Sequence, residues 1–382
     1  MASKLKVVYL VRMFSQECTG TYARFHDIIH TLQQMADPPW EFKIIPSRRL
    51  LGDPSSDILF QDGNIVYRYF NFIRNMIKEV RNADIVHVVQ GDLSHSLLPP
   101  FVTPGHTPLV AGPNLSTFVA TKEVTPLLID PIMTKKGLAY RLRLSRHWRN
   151  RVVFAKWSPL SRRYNIIIAF SQHHRELYEE SGINPDKVKV LPTGVRSDLF
   201  NPVGEKIPTM TVSTRLTILY VATLKTPFLK GLDVLFAGLA YLENEGIPFH
   251  AWIAGGTADE VPEHLHYSQE HVSYLGFVPR GELGPYYRSS DVFVNPSRFE
   301  VDGTTSVEAL ACGTPVIGSD IASFQNKNTL TFHWASGQDL GKVLKIFWEQ
   351  RSQIKQEALL DAPKWHIDVA ISELEDIYRT LH

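Results

Sequence analysis

Glu300 and Glu308 lie on either side of a Gly-Thr-Thr sequence, Gly303, Thr304 and Thr305, in a segment with groups suited to sugars and phosphates. A carboxylate accepts hydrogen bonds from ribose or sugar hydroxyls, and backbone N–H groups at a helix start bind anions. Two isolated glutamates are more often exposed acids that favour a helix dipole. The segment therefore indicates a ligand site only if its surroundings position these groups.

Short apolar runs alternate with amphipathic stretches throughout the second half of the chain. The predicted strands are Leu216–Ala222, Phe249–Ala254, Val272–Leu275, Val292–Val294 and Pro315–Ile317, and the predicted helices are Leu232–Leu242, Glu282–Arg288 and Thr305–Ala311. Short runs rich in Val, Ile and Leu are typical of parallel strands that are buried on both faces. Ligands of such sheets bind at the carboxyl ends of the strands, where Glu300 would lie.

The first half shows the same alternation. Strands are predicted at Lys6–Val11, Phe42–Ile45, Ile85–Val89, Pro108–Ala111 and Asn165–Ala169, with a helix at Tyr22–Met35. Asn201–Thr214 has the composition of a linker, and Asp368–Leu381 predicts a closing helix. We therefore expect an α/β fold with two Rossmann-like, doubly wound domains that face each other across a cleft.

Composition is that of a globular protein, with 382 residues, 44% of them hydrophobic and 21% charged. No apolar run approaches the ~18–20 residues of a membrane span, and the N-terminus lacks a signal-peptide core. Cys18 and Cys312 have no metal-ligand spacing. We expect a reduced, cytoplasmic protein with no disulfide framework and no zinc site.

Basic residues are concentrated between Pro131 and Arg175, where no Asp or Glu occurs. Residues 135–163 are a candidate surface for anionic lipid or for an acidic acceptor, and a solvated helical face would explain them as well. No base-reading module accompanies the charge, so nucleic acid is not an expected partner. No Gly-x-Gly-x-x-Gly follows the first strand, which argues against a dehydrogenase.

The segment around the two glutamates resembles the donor-site sequence of the retaining GT-B glycosyltransferases of family four. The elements in register are Pro296-Ser297, Glu300-x7-Glu308, Ala309-Leu-Ala311-Cys-Gly313 and Pro315-Val316. The resemblance implies that Glu300 meets the donor sugar and Glu308 the ribose hydroxyls. It also implies that the amides of Gly303, Thr304 and Thr305 meet sugar and phosphate.

A second resemblance involves Leu219–Leu224 and Lys230-Gly231, which are similar to the family's strand–loop–Lys-Gly–helix element. It implies that Lys230 neutralises the donor diphosphate. Thr223 stands where the family has an arginine, and Lys225, in a loop about two residues longer, is the candidate to supply that charge. Gly255 and Val278 lie in segments that resemble the walls of the nucleotide-base pocket.

The first half departs further from the family. Gly20 occupies the position of a glycine loop that approaches the phosphates, and Asn114 stands where many members have a histidine. His87, His95 and His106 are nearby, and for each a structural role competes with a catalytic, acceptor-side one. Residues 321–325 replace the family's glycine pair and its usual glutamate.

The resemblance implies an acceptor-binding domain at 1–200, a nucleotide-sugar-binding domain at 214–362 and a helix at 363–382 that returns to the first domain. The expected activity is retaining, metal-independent transfer of a sugar from a UDP- or GDP-sugar, with no cofactor. The acceptor would be a carbohydrate, a lipid-linked compound or a small molecule. Two alternatives stay open: a non-catalytic nucleotide-binding subunit of the same fold, and a nucleotide-sugar epimerase.

Overall fold

The computed structural model describes residues 4–11, 21–46, 65–89, 99–112, 162–169, 171–180, 183–191, 193–298, 300, 303–320 and 329–382. The described residues form two compact units. One contains those up to 191 together with 370–382, and the other contains those from 193 to 369. Each unit is built on its own parallel sheet.

The first unit contains a six-stranded sheet in the order β2-β1-β3-β4-β5-β6. Its strands are β1 (Lys6–Val11), β2 (Glu41–Pro46), β3 (Ile85–Val88), β4 (Leu109–Ala111), β5 (Ile166–Ala169) and β6 (Val188–Val190), and its helices are α1 (Thr21–Gln34), α2 (Ile65–Arg81), α3 (Pro99–Val102) and α4 (Gln172–Glu180). Every residue of β3, β4 and β5 is buried. Burial on both faces explains why these runs are continuously apolar rather than alternating.

The second unit contains another six-stranded sheet, in the order β12-β11-β10-β7-β8-β9. Its strands are β7 (Leu216–Val221), β8 (Phe249–Ala254), β9 (Val272–Gly276), β10 (Val292–Asn295), β11 (Val316–Ser319) and β12 (Thr329–Phe332), and its helices are α5 (Leu232–Asn244), α6 (Leu283–Ser289), α7 (Thr304–Ala311) and α8 (Gly337–Asp361). Along β7, Ile218 and Tyr220 belong to one hydrophobic core and Leu219 to another. Side chains alternate across a strand, so the sheet has a packed layer on each face.

The last helix, α9 (Ile367–Arg379), starts in the second unit and from Ala370 onward packs in the first. At its start, Ile367 N–H donates to the Val195 carbonyl at 2.9 Å. Near its end, the ring of Tyr378 packs edge-on against Trp40 with centroids 5.0 Å apart. The helix is therefore anchored at both ends by contacts within the respective unit.

The α/β doubly wound architecture expected from the sequence is confirmed in both units. The predicted strands and helices lie within about two residues of the observed ones, which is the usual spread of boundary assignments. The strands β6 and β12 and the helices α2, α3, α4 and α8 were not predicted. Among the described helices, none combines the length and the apolar character needed to cross a bilayer.

Candidate functional site

Strands β7 and β10 are hydrogen-bonded neighbours in the middle of the second sheet. From β7 the chain continues to β8 and β9 on one side, whereas β11 and β12 follow β10 on the other. In open parallel sheets, ligands bind at the carboxyl ends of two such strands, where the strand order reverses. The residues that follow Val221 and Asn295 are therefore placed where a ligand is expected.

Lys230 and Glu300, predicted separately from two sequence segments, form an ion pair at this edge. The ammonium of Lys230 donates to Oε2 of Glu300 at 2.9 Å. The two side chains remain 24% and 22% exposed. The pair is shielded from bulk water yet reachable, so a ligand that carries both negative charge and hydroxyl groups can engage both residues.

The segment that carries Lys230 packs directly on the backbone that follows β10. Gly231 has φ of +68°, and a Cβ at this position would lie 1.9 Å from the carbonyl oxygen of Pro296. Tyr220, on β7, donates its hydroxyl hydrogen to the Lys230 carbonyl at 3.2 Å. Only glycine permits both the left-handed backbone and this close approach.

Helix α7 starts at Thr304, immediately after Gly303, which has φ of +48°. The Gly303 carbonyl accepts from Ser306 N–H at 2.8 Å and from Val307 N–H at 3.2 Å. Asn295, the last residue of β10, donates from its side-chain amide to Ser306 Oγ at 3.0 Å. The first turn of α7, with Thr304 and Thr305, is thus fixed to the carboxyl end of β10, an arrangement suited to binding an anion.

Glu308 lies one turn into α7, as predicted, but the residue is only 1% exposed. Arg280 donates from Nε to Glu308 Oε1 at 2.6 Å, and Tyr287 donates its hydroxyl hydrogen to Oε2 at 3.0 Å. Burial, followed by the nearby Glu308 charge, raises the pKa of Tyr287 well above its usual value. The Glu308 carboxyl group is therefore held by two donors from outside its helix.

On the other side of β7, the segments expected to border a nucleotide base come together. Gly255 follows β8 with φ of +117°, and a Cβ there would lie 2.1 Å from the carbonyl oxygen of Ala222. Gly255 N–H donates to the Gly276 carbonyl at 2.8 Å, at the end of β9. Val278 follows two residues later and is partly buried against the core that contains α7. Backbone groups of this region are thus packed around the end of β8.

Thr223, which stands at the family's arginine position, and Lys225, the candidate to supply that charge, are both exposed. Thr223 Oγ1 accepts from the backbone N–H of Lys225 at 3.4 Å. The side chain of Lys225 extends from this exposed turn, whereas the ammonium of Lys230 is fixed by its ion pair. The two lysines therefore differ: the Lys230 ammonium is held by Glu300, and Lys225 is an exposed residue.

His87 is an interior residue of β3 and is only 2% exposed. Its Nε2 lies 2.6 Å from the Gly112 carbonyl, and its Nδ1 lies 2.6 Å from the Tyr378 hydroxyl. A carbonyl can only accept, so Nε2 carries the hydrogen. Burial lowers the pKa of His87 to about 4, so the ring is neutral. These contacts describe a structural histidine that ties α9 to the first sheet and not an acceptor-side residue.

Gly20, Asn114 and residues 135–161 lie outside the described residues. At the end of the basic stretch, Arg163 donates to the carbonyls of Pro104 and Thr107 at 2.6 and 3.2 Å. The guanidinium of Arg163 is therefore engaged by backbone carbonyls of the first unit. Within the described ranges, no group of three or more His, Cys, Asp or Glu side chains is placed to hold a metal ion.

Sequence reasoning missed three residues that organise the site: Arg280, Tyr287 and Arg298. Arg280 and Tyr287 hold Glu308, and Arg298 holds the segment before Lys230. The only available signal for Arg298 was its position between Pro296-Ser297 and Glu300. Arginines are usually exposed, so nothing in the sequence marked these side chains as buried partners.

Comparison with known proteins finds two family models on this chain. Residues 41–199 match the model described as Glycosyltransferase Family 4, and residues 215–339 match Glycosyl transferases group 1. Together they cover well over half of the chain. Among curated relatives, the D-inositol 3-phosphate glycosyltransferase of Corynebacterium aurimucosum is 26% identical over 238 residues, or 56% of each chain. The chain thus spans about half the length of that relative.

Solved structures extend the likeness over nearly the whole chain. The sucrose-phosphate synthase of Thermosynechococcus elongatus is 14% identical with a TM-score of 0.66, covering 98% of this chain and 99% of its own. The Anabaena protein HepE, solved in complex with UDP, is 16% identical with a TM-score of 0.65, covering 98% and 100%. At such identities the likeness establishes the fold.

Three observations indicate the same family. Each half of the chain matches a glycosyltransferase model, both sheets are parallel with a reversal in strand order, and the solved structures share this fold. The chain belongs to the GT-B-fold glycosyltransferases, with a family 4 segment followed by a group 1 segment.

Proposed function

We propose that this protein transfers a sugar from a UDP- or GDP-sugar to an acceptor hydroxyl, with retention of the anomeric configuration. The observation that carries the proposal is the Lys230–Glu300 pair, 2.9 Å apart at the carboxyl ends of β7 and β10. A cation suits the diphosphate of a nucleotide sugar, and a neighbouring carboxylate suits its hydroxyl groups. The similar Anabaena protein HepE was solved with UDP and with UDP-glucose, which supports this donor class.

In the proposed reaction, the bond between the anomeric carbon and the diphosphate oxygen breaks while positive charge develops on the sugar ring. Lys230 and the N-terminus of α7, with the amides of Gly303, Thr304 and Thr305, stabilise the departing diphosphate. The acceptor oxygen bonds to the same face of the sugar, and its proton passes to the leaving phosphate. Glu300 orients the donor sugar. Glu308 is buried by its contacts with Arg280 and Tyr287, and it accepts from the ribose hydroxyls when Arg280 releases it.

Lys230 and the helix N-terminus supply positive charge that a metal ion provides in other transferases, so we propose that donor binding is metal-independent. The acceptor is a carbohydrate, a lipid-linked compound or a small molecule. We also propose that the protein is cytoplasmic and that residues 135–163 contact anionic lipid. A lipid-linked acceptor would be consistent with that contact.

The test is thermal unfolding of the protein with UDP, GDP, ADP and their sugar conjugates, each with EDTA or with Mg²⁺. A ligand at one hundred times its Kd adds about 2.7 kcal/mol of stability, which is readily measured. We expect one base to stabilise the protein equally in EDTA and Mg²⁺, and Lys230→Met to weaken that stabilisation. The matched control is Lys225→Met, which removes a cation from the same segment without breaking the ion pair.

Three outcomes would change the proposal. If no nucleotide stabilises the wild type, the donor-site assignment fails. Stabilisation that requires Mg²⁺ would contradict metal independence. Tight nucleotide binding without transfer to any member of an acceptor panel would favour a non-catalytic nucleotide-binding subunit.

A further inference from the structure

Arg298 is an almost completely buried cation, 5% exposed, that contacts three parts of the Lys230 segment. Its guanidinium forms a two-pronged ion pair with Asp233, with Nη1 to Oδ1 and Nη2 to Oδ2 both at 2.6 Å. Asp233 lies in the first turn of α5, immediately after Gly231 and Leu232. The pair therefore joins the connection after β10 to the helix that follows Lys230.

The same guanidinium also fixes the residues that precede Lys230. Nη1 donates to the Phe228 carbonyl at 2.7 Å, and the guanidinium carbon lies 3.9 Å from the centre of the Phe228 ring. The backbone N–H of Arg298 donates to the Leu229 carbonyl at 3.0 Å. Arg298 thus holds residues on both sides of Lys230, while the Lys230 side chain itself is left to its ion pair with Glu300.

This arrangement has a mechanical consequence. Lys230 belongs to one connection and Glu300 to another, and they approach each other across 70 residues of sequence. The contacts of Arg298 and the close approach of Gly231 to Pro296 hold the connection after β7, with Lys230, against the connection after β10, with Glu300. A bidentate guanidinium fixes both distance and angle, which a single ammonium does not.

We infer that Arg298 and Asp233 form a positioning pair that holds the Lys230 ammonium where the donor diphosphate binds. The inference rests on the proposed function. Arg298 acts through Lys230 and not by contact with the donor, so its removal weakens diphosphate binding only while Lys230 is present. This distinguishes positioning from a general structural contribution, which would be felt with or without Lys230.

The experiment is a double-mutant cycle with Arg298→Lys and Lys230→Met, in which Kd is measured calorimetrically for UDP and GDP. UMP and GMP serve as probes that lack the second phosphate. We expect Arg298→Lys to weaken binding of the favoured diphosphate about tenfold, or about 1.4 kcal/mol. We expect it to add no further loss in the Lys230→Met background, and to change monophosphate affinity by less than about twofold.

Arg298→Lys keeps the buried positive charge but loses the bidentate contact with Asp233 and the stacking of the guanidinium on Phe228. Asp233→Asn is the second variant, because it keeps the side-chain shape but removes the ion pair. It replaces Arg298→Lys in the cycle if Arg298→Lys fails to fold. Circular dichroism and urea unfolding establish that each variant is folded before titration.

Equal losses for diphosphate and monophosphate, additive losses in the double variant, or unchanged diphosphate affinity would each overturn the inference and leave the proposed function standing. If neither UDP nor GDP binds the wild-type protein, the proposed function fails and the inference fails with it. A loss that is confined to the second phosphate and depends on Lys230 supports both.

Discussion

Arg280 and Glu308 form a partly buried ion pair in which Nε of Arg280 lies 2.6 Å from Oε1 of Glu308. The Glu308 side chain is 2% exposed and that of Arg280 is 17% exposed. The Arg280 guanidinium also lies 5.2 Å from the centre of the Phe200 ring. A residue expected to bind ribose is thus held in place by a cation that precedes α6 and by Tyr287 within it.

The first prediction concerns this pair. Arg280→Met should lower the free energy of unfolding by about 3 kcal/mol or more, because it leaves the Glu308 carboxylate buried without its cation. The measurement is urea unfolding at pH 7. Arg379→Met is the control, since Arg379 pairs with Glu375 on the surface of α9 and is 70% exposed. Removing an exposed pair should cost less than about 1 kcal/mol.

A second variant separates charge from packing at Glu308. Glu308→Gln with Arg280→Met removes both charges and should be more stable than Arg280→Met alone, because no unpaired buried charge is left. If Arg280→Met costs no more than Arg379→Met, the partly buried pair does not contribute as the structure indicates. The ribose-binding role is tested independently, by comparing nucleotide with inorganic pyrophosphate binding in Glu308→Gln.

The second prediction concerns the pH dependence of stability through His87. Its pKa is lowered to about 4 by burial, against about 6.5 in the unfolded chain. Between these values the unfolded chain binds the proton and the folded protein does not, so stability falls as pH falls. The loss should reach about 3 kcal/mol at pH 4.

The check on His87 is urea unfolding of the wild type and His87→Gln at pH 7, 6, 5 and 4. Glutamine can donate to the Gly112 carbonyl but does not titrate. The difference in unfolding free energy between the two proteins should therefore shrink as pH falls. His250 and His366 also have lowered pKa values, so both proteins should keep a residual slope. A difference that is constant with pH would show that His87 does not titrate as stated.

The third prediction compares two glycines with the same backbone conformation. Gly231 and Gly246 both have φ of +68°, but a Cβ at Gly246 meets nothing within 4 Å whereas one at Gly231 meets Pro296. Gly246→Ala should cost about 1 kcal/mol of backbone strain. Gly231→Ala should lower the free energy of unfolding by more than this. The new Cβ would clash with Pro296, so the backbone around Lys230 must also move away from the residues that follow β10.

Urea unfolding measures both glycine variants, and calorimetry with UDP and GDP shows whether the displaced segment still binds. We expect Gly246→Ala to bind nucleotide like the wild type and Gly231→Ala to bind it more weakly. Equal costs for the two substitutions would mean that the contact with Pro296 is relieved without moving the segment.

The sequence predicted the fold because each strand is an apolar run that the parallel sheet buries on both faces. It also placed Glu300 after a strand and Gly303 at a helix start, since ligand-binding residues of this fold follow a regular pattern of strand, turn and helix. Lys230 was identified by the family resemblance. The sequence could not show that Lys230 contacts Glu300, because the pairing depends on which strands are neighbours. Nor could it show that Arg298 is buried against Asp233 or that Arg280 pairs with Glu308, since these partners lie 65 and 28 residues away.

His87 illustrates the opposite limit. Its residue type made it a candidate for acceptor-side chemistry, because histidine titrates near neutral pH. Its position inside β3, between neighbouring strands, decides instead that both ring nitrogens are engaged with Gly112 and Tyr378. Residue type suggests chemistry, but burial and hydrogen-bond partners determine which chemistry is available.

The last prediction restores a charge. The exposed Thr223 stands where the resemblance places an arginine, and Lys225 is the expected substitute two residues later. Because Lys225 is exposed, its contribution to diphosphate affinity should be small and should vanish at high salt. Thr223→Arg should tighten diphosphate binding about tenfold, since a guanidinium donates two charge-assisted hydrogen bonds to phosphate.

Calorimetry with UDP and GDP at low and high salt tests this on wild type, Lys225→Met, Thr223→Arg and the double variant. The gain from Thr223→Arg should persist in the Lys225→Met background, because arginine then supplies the charge. Thr223→Gln, of similar polarity but uncharged, is the control and should bind like the wild type. If Thr223→Arg binds no tighter than Thr223→Gln, the turn after β7 does not face the diphosphate, and the phosphate charge is met by Lys230 and the start of α7 alone.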